Sequence, residues 1–316
     1  MPIYRQILKK ALGLTWHNPS LLIFGAFTAL ISVGEINLLL TYIYNPTGRL
    51  NFLTSFFGDL FSGSFGNLYA GLMSTIQSHA GSFIIGIMVA LIELAFTALI
   101  LWLTIVSQAA LINRIINLAQ NKKTDLAQNF RLGLKKFWPI LLVNLILQLG
   151  LWLLALLVAW INQITTGTPI IYPLVIIITL ILVALIAFAA KLTILQVVLK
   201  DEKLIDSCKK SWQLFTKNWL ICLEFAALLF AIIWITNQIV GSLFGVGIQL
   251  IVGPLYPFPK LILSLLLLLY LVFILVQILI VAFYWANWSL FFEYLYSKKF
   301  VASRMSLGLK KLLTKK

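Results

Sequence analysis

Four ionisable side chains stand inside long apolar runs: Glu35, Glu93, Lys191 and Glu224. A charge at the centre of a lipid-embedded helix costs about 2.5–3.5 kcal/mol, so each such residue needs a partner or a task. Counted at helical rise, Lys191 lies roughly 12 Å before the end of its run and Glu224 roughly 9 Å after the start of the next. The two depths match, so the two could pair. Glu35 and Glu93 fall nearer mid-run on two consecutive segments and are candidates for handling a proton or a small cation. Amides extend the polar set: Asn37, Gln108, Asn144, Gln148, Gln196, Asn237, Gln238 and Gln277. Two readings stay open. The groups either line a binding cavity or glue helices together at about 0.6 kcal/mol per hydrogen bond.

Other chemistry is poorly served. The only histidines, His17 and His79, form no metal-binding pair, and no Ser or Cys stands in a nucleophile motif. Cys208 and Cys222 have no metal-ligand spacing. Cys208, on an amphipathic stretch, reads as a buried bystander sooner than as an acylation site. The expectation is a non-enzymatic chain with no cofactor and no metal.

Those residues need helices in lipid to hold them. Hydrophobic residues form 61% of the 316, and charged residues only 10%, against roughly 25% in an ordinary soluble domain. Such a chain cannot cover itself with polar surface. Its apolar runs are too long for barrel strands, so an all-α polytopic membrane protein is expected. Six stretches are long enough to cross: about 20–44, 82–108, 137–161, 174–199, 218–240 and 261–288. Periodicity carries the second and sixth on as helix to about Ala119 and Tyr296. Helix breakers mark the gaps, among them Gly253, Pro254, Pro257 and Pro259. The stretch from Gly241 to Lys260 reads as a loop, partly re-entrant.

The net charge of +15 would suggest nucleic acid in a soluble chain. Here it orients the molecule instead, and no nucleic-acid partner is expected. Twenty-one of the 24 Lys and Arg fall on one side of the six spans, leaving only Arg49 and Lys260 opposite and Lys191 within. By the positive-inside rule both termini face the cytoplasm, in a bacterial inner membrane.

On that side short amphipathic stretches recur at about 3–15, 124–136, 203–216 and 300–313. In the first, Ile3, Ile7, Leu8, Ala11, Leu12 and Leu14 share one half of a helix; in the third, Leu204, Cys208, Trp212 and Phe215 do. The expectation is helices lying in the interface, apolar side down. Their lysines would reach anionic headgroups: Lys9, Lys10, Lys135, Lys136, Lys209, Lys210, Lys310 and Lys311. Trp16, Trp138 and Trp219 mark headgroup level. Lys9-Lys10, Leu14 and Asn18 match Lys209-Lys210, Leu214 and Asn218, and Leu12-Gly13-Leu14 is echoed at Leu132-Gly133-Leu134. The outer loop, 45–81, holds two uncharged amphipathic segments and reads as a short cap or a plug.

Ala11 to Phe24, Phe130 to Val143 and Ser207 to Cys222 resemble a broad group of bacterial six-helix membrane proteins. That group includes the membrane domain fused to some glycerophosphodiester phosphodiesterases. The catalytic domain of those enzymes has no counterpart here, so the resemblance implies a membrane part alone and carries over no catalytic residue. Two functions are therefore expected candidates: lipid contact, membrane organisation or assembly with a membrane partner; or transport of a small solute or lipid through Glu35, Glu93 and Lys191.

Overall fold

The structure, a computed structural model, describes residues 2–29, 80–122, 125–164, 171–255 and 259–297. Among these, all regular structure is α-helix. The elements are α1 (Pro2–His17), α2 (Ser20–Ala29), α3 (Ala80–Ala119), α4 (Leu126–Lys135), α5 (Phe137–Ile164), α6 (Ile171–Lys200), α7 (Leu204–Lys217), α8 (Trp219–Leu255) and α9 (Pro259–Tyr296). Prolines 139, 173 and 259 fall in first turns, where a missing N–H costs nothing. Segments of α3, α6, α8 and α9 are long and apolar enough to cross a membrane. A fifth crossing results if α4 and α5, bent by 63° at their junction, are taken together.

Most boundaries fall near the expected ones, and α3 and α9 end at Ala119 and Tyr296. Of the first expected span only the part to Ala29 lies within the described residues. Residues 45–79 of the expected outer loop 45–81 and the tail stretch 300–313 lie outside them, and residues 80 and 81 belong to α3. The clear difference is α8, which does not stop near Val240 but continues as helix to Leu255. The segment read as a re-entrant loop is therefore helical for its first fifteen residues. A glycine inside a helix costs about 1 kcal/mol, but Gly247 also lets α8 approach α9 closely. A Cβ there would lie 3.0 Å from Leu269 Cδ2, and the Phe244 and Phe273 rings meet at 4.6 Å beside it. Packing thus outweighs propensity.

Among the described residues the helices group into three units, each opened by an amphipathic helix, α1, α4 or α7, that turns into an apolar one. α4 packs on α3, the last helix of the unit before it, and α7 likewise packs on α6. α1 packs instead on α9, the last of the described helices. That contact closes a ring. α3, α6 and α9 touch one another inside it, and α2 reaches α9 where Gly25 sits against Ile278 and Ala282.

The core lies at one end of the ring, where Ile105, Leu111 and Ile112 of α3 meet Leu192 and Ile194 of α6 and Trp285, Phe291 and Phe292 of α9. This is the end that carries the short helices and their lysines, and we call it the basic end. Toward the other end large apolar side chains are exposed in long series, such as Leu263, Leu267, Leu268 and Leu271 on α9. Water-soluble monomers rarely present apolar surface on that scale. The described helices therefore suit a multi-pass membrane protein.

Three turns join an amphipathic helix to an apolar one. Asn18 Nδ2 donates to Leu14 O at 2.9 Å and Asn218 Nδ2 to Leu214 O at 3.0 Å, so these two turns are built alike. The third turns at Lys136, whose carbonyl accepts from Ile140 N as that of Asn218 accepts from Cys222 N. In this register Gly133 corresponds to Thr15 and Phe215, three residues before each turn, and not to Gly13. The Leu-Gly-Leu echo in the sequence is two residues out of step. Space confirms it: a Cβ on Gly13 would meet nothing within 4 Å, whereas one on Gly133 would lie 2.4 Å from Val106 O. The helices α3 and α6 end alike too, on Asn121 and Asp201 at φ 56° and 55°, a left-handed stop that Asn and Asp tolerate.

Candidate functional site

Lys191 and Glu224 reach the same aromatic cluster near the basic end. The half-buried Lys191 ammonium lies 4.9 Å from the Tyr284 ring centre and 5.9 Å from that of Trp288, within cation–π range. Trp288 is flanked by Phe188 at 5.3 Å and Phe225 at 5.8 Å. Phe225, next to Glu224, stacks on Phe291 at 4.0 Å. Glu224 Oε2 accepts a 2.8 Å hydrogen bond from the Tyr4 hydroxyl of α1. Burial, then the Glu224 carboxylate, push the Tyr4 hydroxyl well above its ordinary pKa, so it stays a donor. Lys191 and Glu224 thus share an aromatic neighbourhood. Tyr4, Tyr284 and Trp288 were not legible as its members, because nothing in a linear pattern says that the first helix returns to the fifth apolar run. Glu93 lies in α3 with its side chain outside the described set, and Glu35 lies outside it altogether.

The amides pair between helices. Asn144 donates to Gln108 at 2.9 Å, Gln277 to Asn237 at 3.1 Å, and Asn113 to Asn129 at 2.8 Å. Gln120 donates to Glu293 at 2.8 Å. Among the described residues no three His, Cys, Asp or Glu are grouped to hold a metal.

The lysine doublets divide their labour. Lys10 Nζ donates to Ala119 O at 3.2 Å, neutralising the carbonyl end of α3. Lys136 pairs with Asp201, and Lys210 with Glu202 at 2.5 Å. The hydrogen bond from Lys136 holds the Asp201 carboxyl below its ordinary range. Hydrogen bonds from Lys210 and then Gln196 do the same for Glu202, and Glu202 in turn raises Lys210. The second lysine of each doublet therefore braces the ring. The first of each, Lys9, Lys135 and Lys209, stays exposed. Lys310 and Lys311 lie outside the described residues.

The short helices do not lie with one undivided apolar side outward. Small or slim residues at four-residue spacing turn into the bundle: Ile7, Ala11 and Thr15 on α1, Asn129 and Gly133 on α4, Ser207, Ser211 and Phe215 on α7. A second apolar flank is left exposed, with Leu12 and Trp16, Leu134 and Trp138, and Ile205, Cys208 and Trp212. Cys208 is thus exposed, not buried. The available sequence signal was the i, i+4 recurrence of small residues, hidden because Ser207 and Ser211 count as polar in a hydropathy pattern.

No protein-family model, no curated protein and no solved structure matches this chain.

Proposed function

We propose that the chain is a non-enzymatic six-span protein of a bacterial cytoplasmic membrane with both termini in the cytoplasm. It acts through anionic lipid on the cytoplasmic side, organising the membrane or assembling with a membrane partner. The observation that carries this reading is the exposed rim of the ring, where indole and aliphatic side chains alternate with Lys9, Lys135 and Lys209. Apolar side chains beside exposed cations suit a headgroup layer, apolar group in the acyl boundary and ammonium on the phosphate. The loose resemblance to the membrane domain fused to some glycerophosphodiester phosphodiesterases is in keeping with it.

Transport is less well supported. Lys191 and Glu224 are engaged in an aromatic cluster and a tyrosine hydrogen bond, contacts that suit packing. The experiment is native mass spectrometry of the protein extracted with mixed lipid. Anionic phospholipid should be retained over phosphatidylcholine, and replacing Lys9, Lys135 and Lys209 together with Gln should reduce that preference. Solute flux in proteoliposomes that disappears in Glu93→Gln would replace this reading with transport.

A further inference from the structure

The three turns present a basic side chain at the same place. One residue before the turn residues Asn18, Lys136 and Asn218 stand His17, Lys135 and Lys217, each in the last turn of its short helix and each exposed. Within two residues of each turn an indole is exposed: Trp16 at 72%, Trp138 at 69% and Trp219 at 54%. The Leu-Gly-Leu echo conceals this equivalence, since its register would set Lys135 opposite Thr15. Buried aromatic rings are plentiful in this chain, yet these three indoles point away from the core, and Lys135 and Lys217 make no ion pair among the described residues. His17 Nδ1 donates to Gly13 O at 2.9 Å, which leaves Nε2, the acceptor of the neutral ring, to take a headgroup hydroxyl.

We infer that the ring has three corner sites, Trp16 with His17, Trp138 with Lys135 and Trp219 with Lys217, each seating one anionic phospholipid headgroup. The inference rests on the lipid reading above and deepens it from a diffuse basic surface to a defined stoichiometry. Charge complementarity selects the occupant. Each lysine corner offers a cation for a phosphate oxygen, the His17 corner an imidazole acceptor for a headgroup hydroxyl, and all three an indole whose N–H and ring suit the boundary between headgroup and acyl chain. Closure of the ring by α1 on α9 is what makes the corners three, because each lies where a short helix seated on one unit turns into the next.

The test counts retained lipids on the whole protein by native mass spectrometry, using phosphatidylglycerol and phosphatidylcholine as probes. Wild type should keep three phosphatidylglycerol molecules in preference to phosphatidylcholine. Lys135→Gln and Lys217→Gln should each lose one, with about fivefold weaker binding at that step, and the double variant should lose two. Lys135→Arg should keep its lipid. Lys260→Gln, an exposed cation at the opposite end of α9, should keep all three. Retention of three in the double variant overturns the corner sites while leaving the lipid reading in place. Wild type with no preference for phosphatidylglycerol overturns both.

Discussion

A methyl group added at Gly133 would be driven onto the Val106 carbonyl oxygen, and backbone cannot step aside as a side chain can. Overpacking of that kind costs about 1–3 kcal/mol, so Gly133→Ala should lower the thermal midpoint of the detergent-solubilised protein by several degrees. Gly13 has the same flanking residues in sequence but open space around it, and Gly13→Ala should gain up to about 1 kcal/mol from helix propensity. Equal effects at the two positions would restore the register implied by the echo. The residue scale is also where the sequence is hardest to read. Glu224 and Lys191 announce themselves by charge in an apolar setting, whereas Tyr4, Ser207 and Gly133 become informative only when their neighbours are known.

Short elements carry the basic end. α7 is tied back to α6 and to the turn between α4 and α5 by carboxylates on the link between α6 and α7: Asp201 bonded to Lys136, and Glu202 bonded to Lys210 and Gln196. Both carboxyls titrate below their ordinary values. A depressed carboxyl stabilises the fold above its unfolded pKa and loses that contribution as pH falls through its folded one. The two clasps should therefore hold at neutral pH and open below about pH 4. Hydrogen exchange of α7, corrected for its intrinsic pH dependence, should speed up across that step. Lys136→Gln with Lys210→Gln should exchange fast at both pH values; a step that survives in that variant would assign it to other groups. The existence of α1, α4 and α7 was legible from amphipathic periodicity. Their second, buried face was not, because a helix docked through small residues looks one-sided to hydropathy.

At the scale of the whole molecule, the ring explains why a chain so rich in leucine has an unambiguous arrangement. Two of the three seats for a short helix are filled by the element that follows covalently, and the third by the N-terminus. Spacing and composition foretold long helices and which end would be basic. They did not foretell closure, which depends on a contact between residues more than two hundred positions apart, such as Tyr4 with Glu224. If the seats are equivalent, the position of the chain ends is incidental. A circular permutant with Lys316 joined to Met1 and new termini between Lys122 and Asp125 should fold with the same helical content and a midpoint within a few degrees. Failure of that permutant to fold, beside a wild type opened by nothing more than a nick at the same link that remains folded, would contradict equivalence of the seats.

The central claim is that the exposed rim of the basic end sits in the lipid headgroup layer, and its most direct measurement is depth. In a Cys208→Ser background, with Cys222 buried, single nitroxide labels at positions 12, 134 and 205 report on the outward flanks of α1, α4 and α7 in anionic liposomes. Power saturation with oxygen and a nickel chelate should place all three at one shallow depth, at the boundary of headgroups and acyl chains, while a label at position 9 reports water. Labels at 12, 134 and 205 that report bulk water would contradict the account.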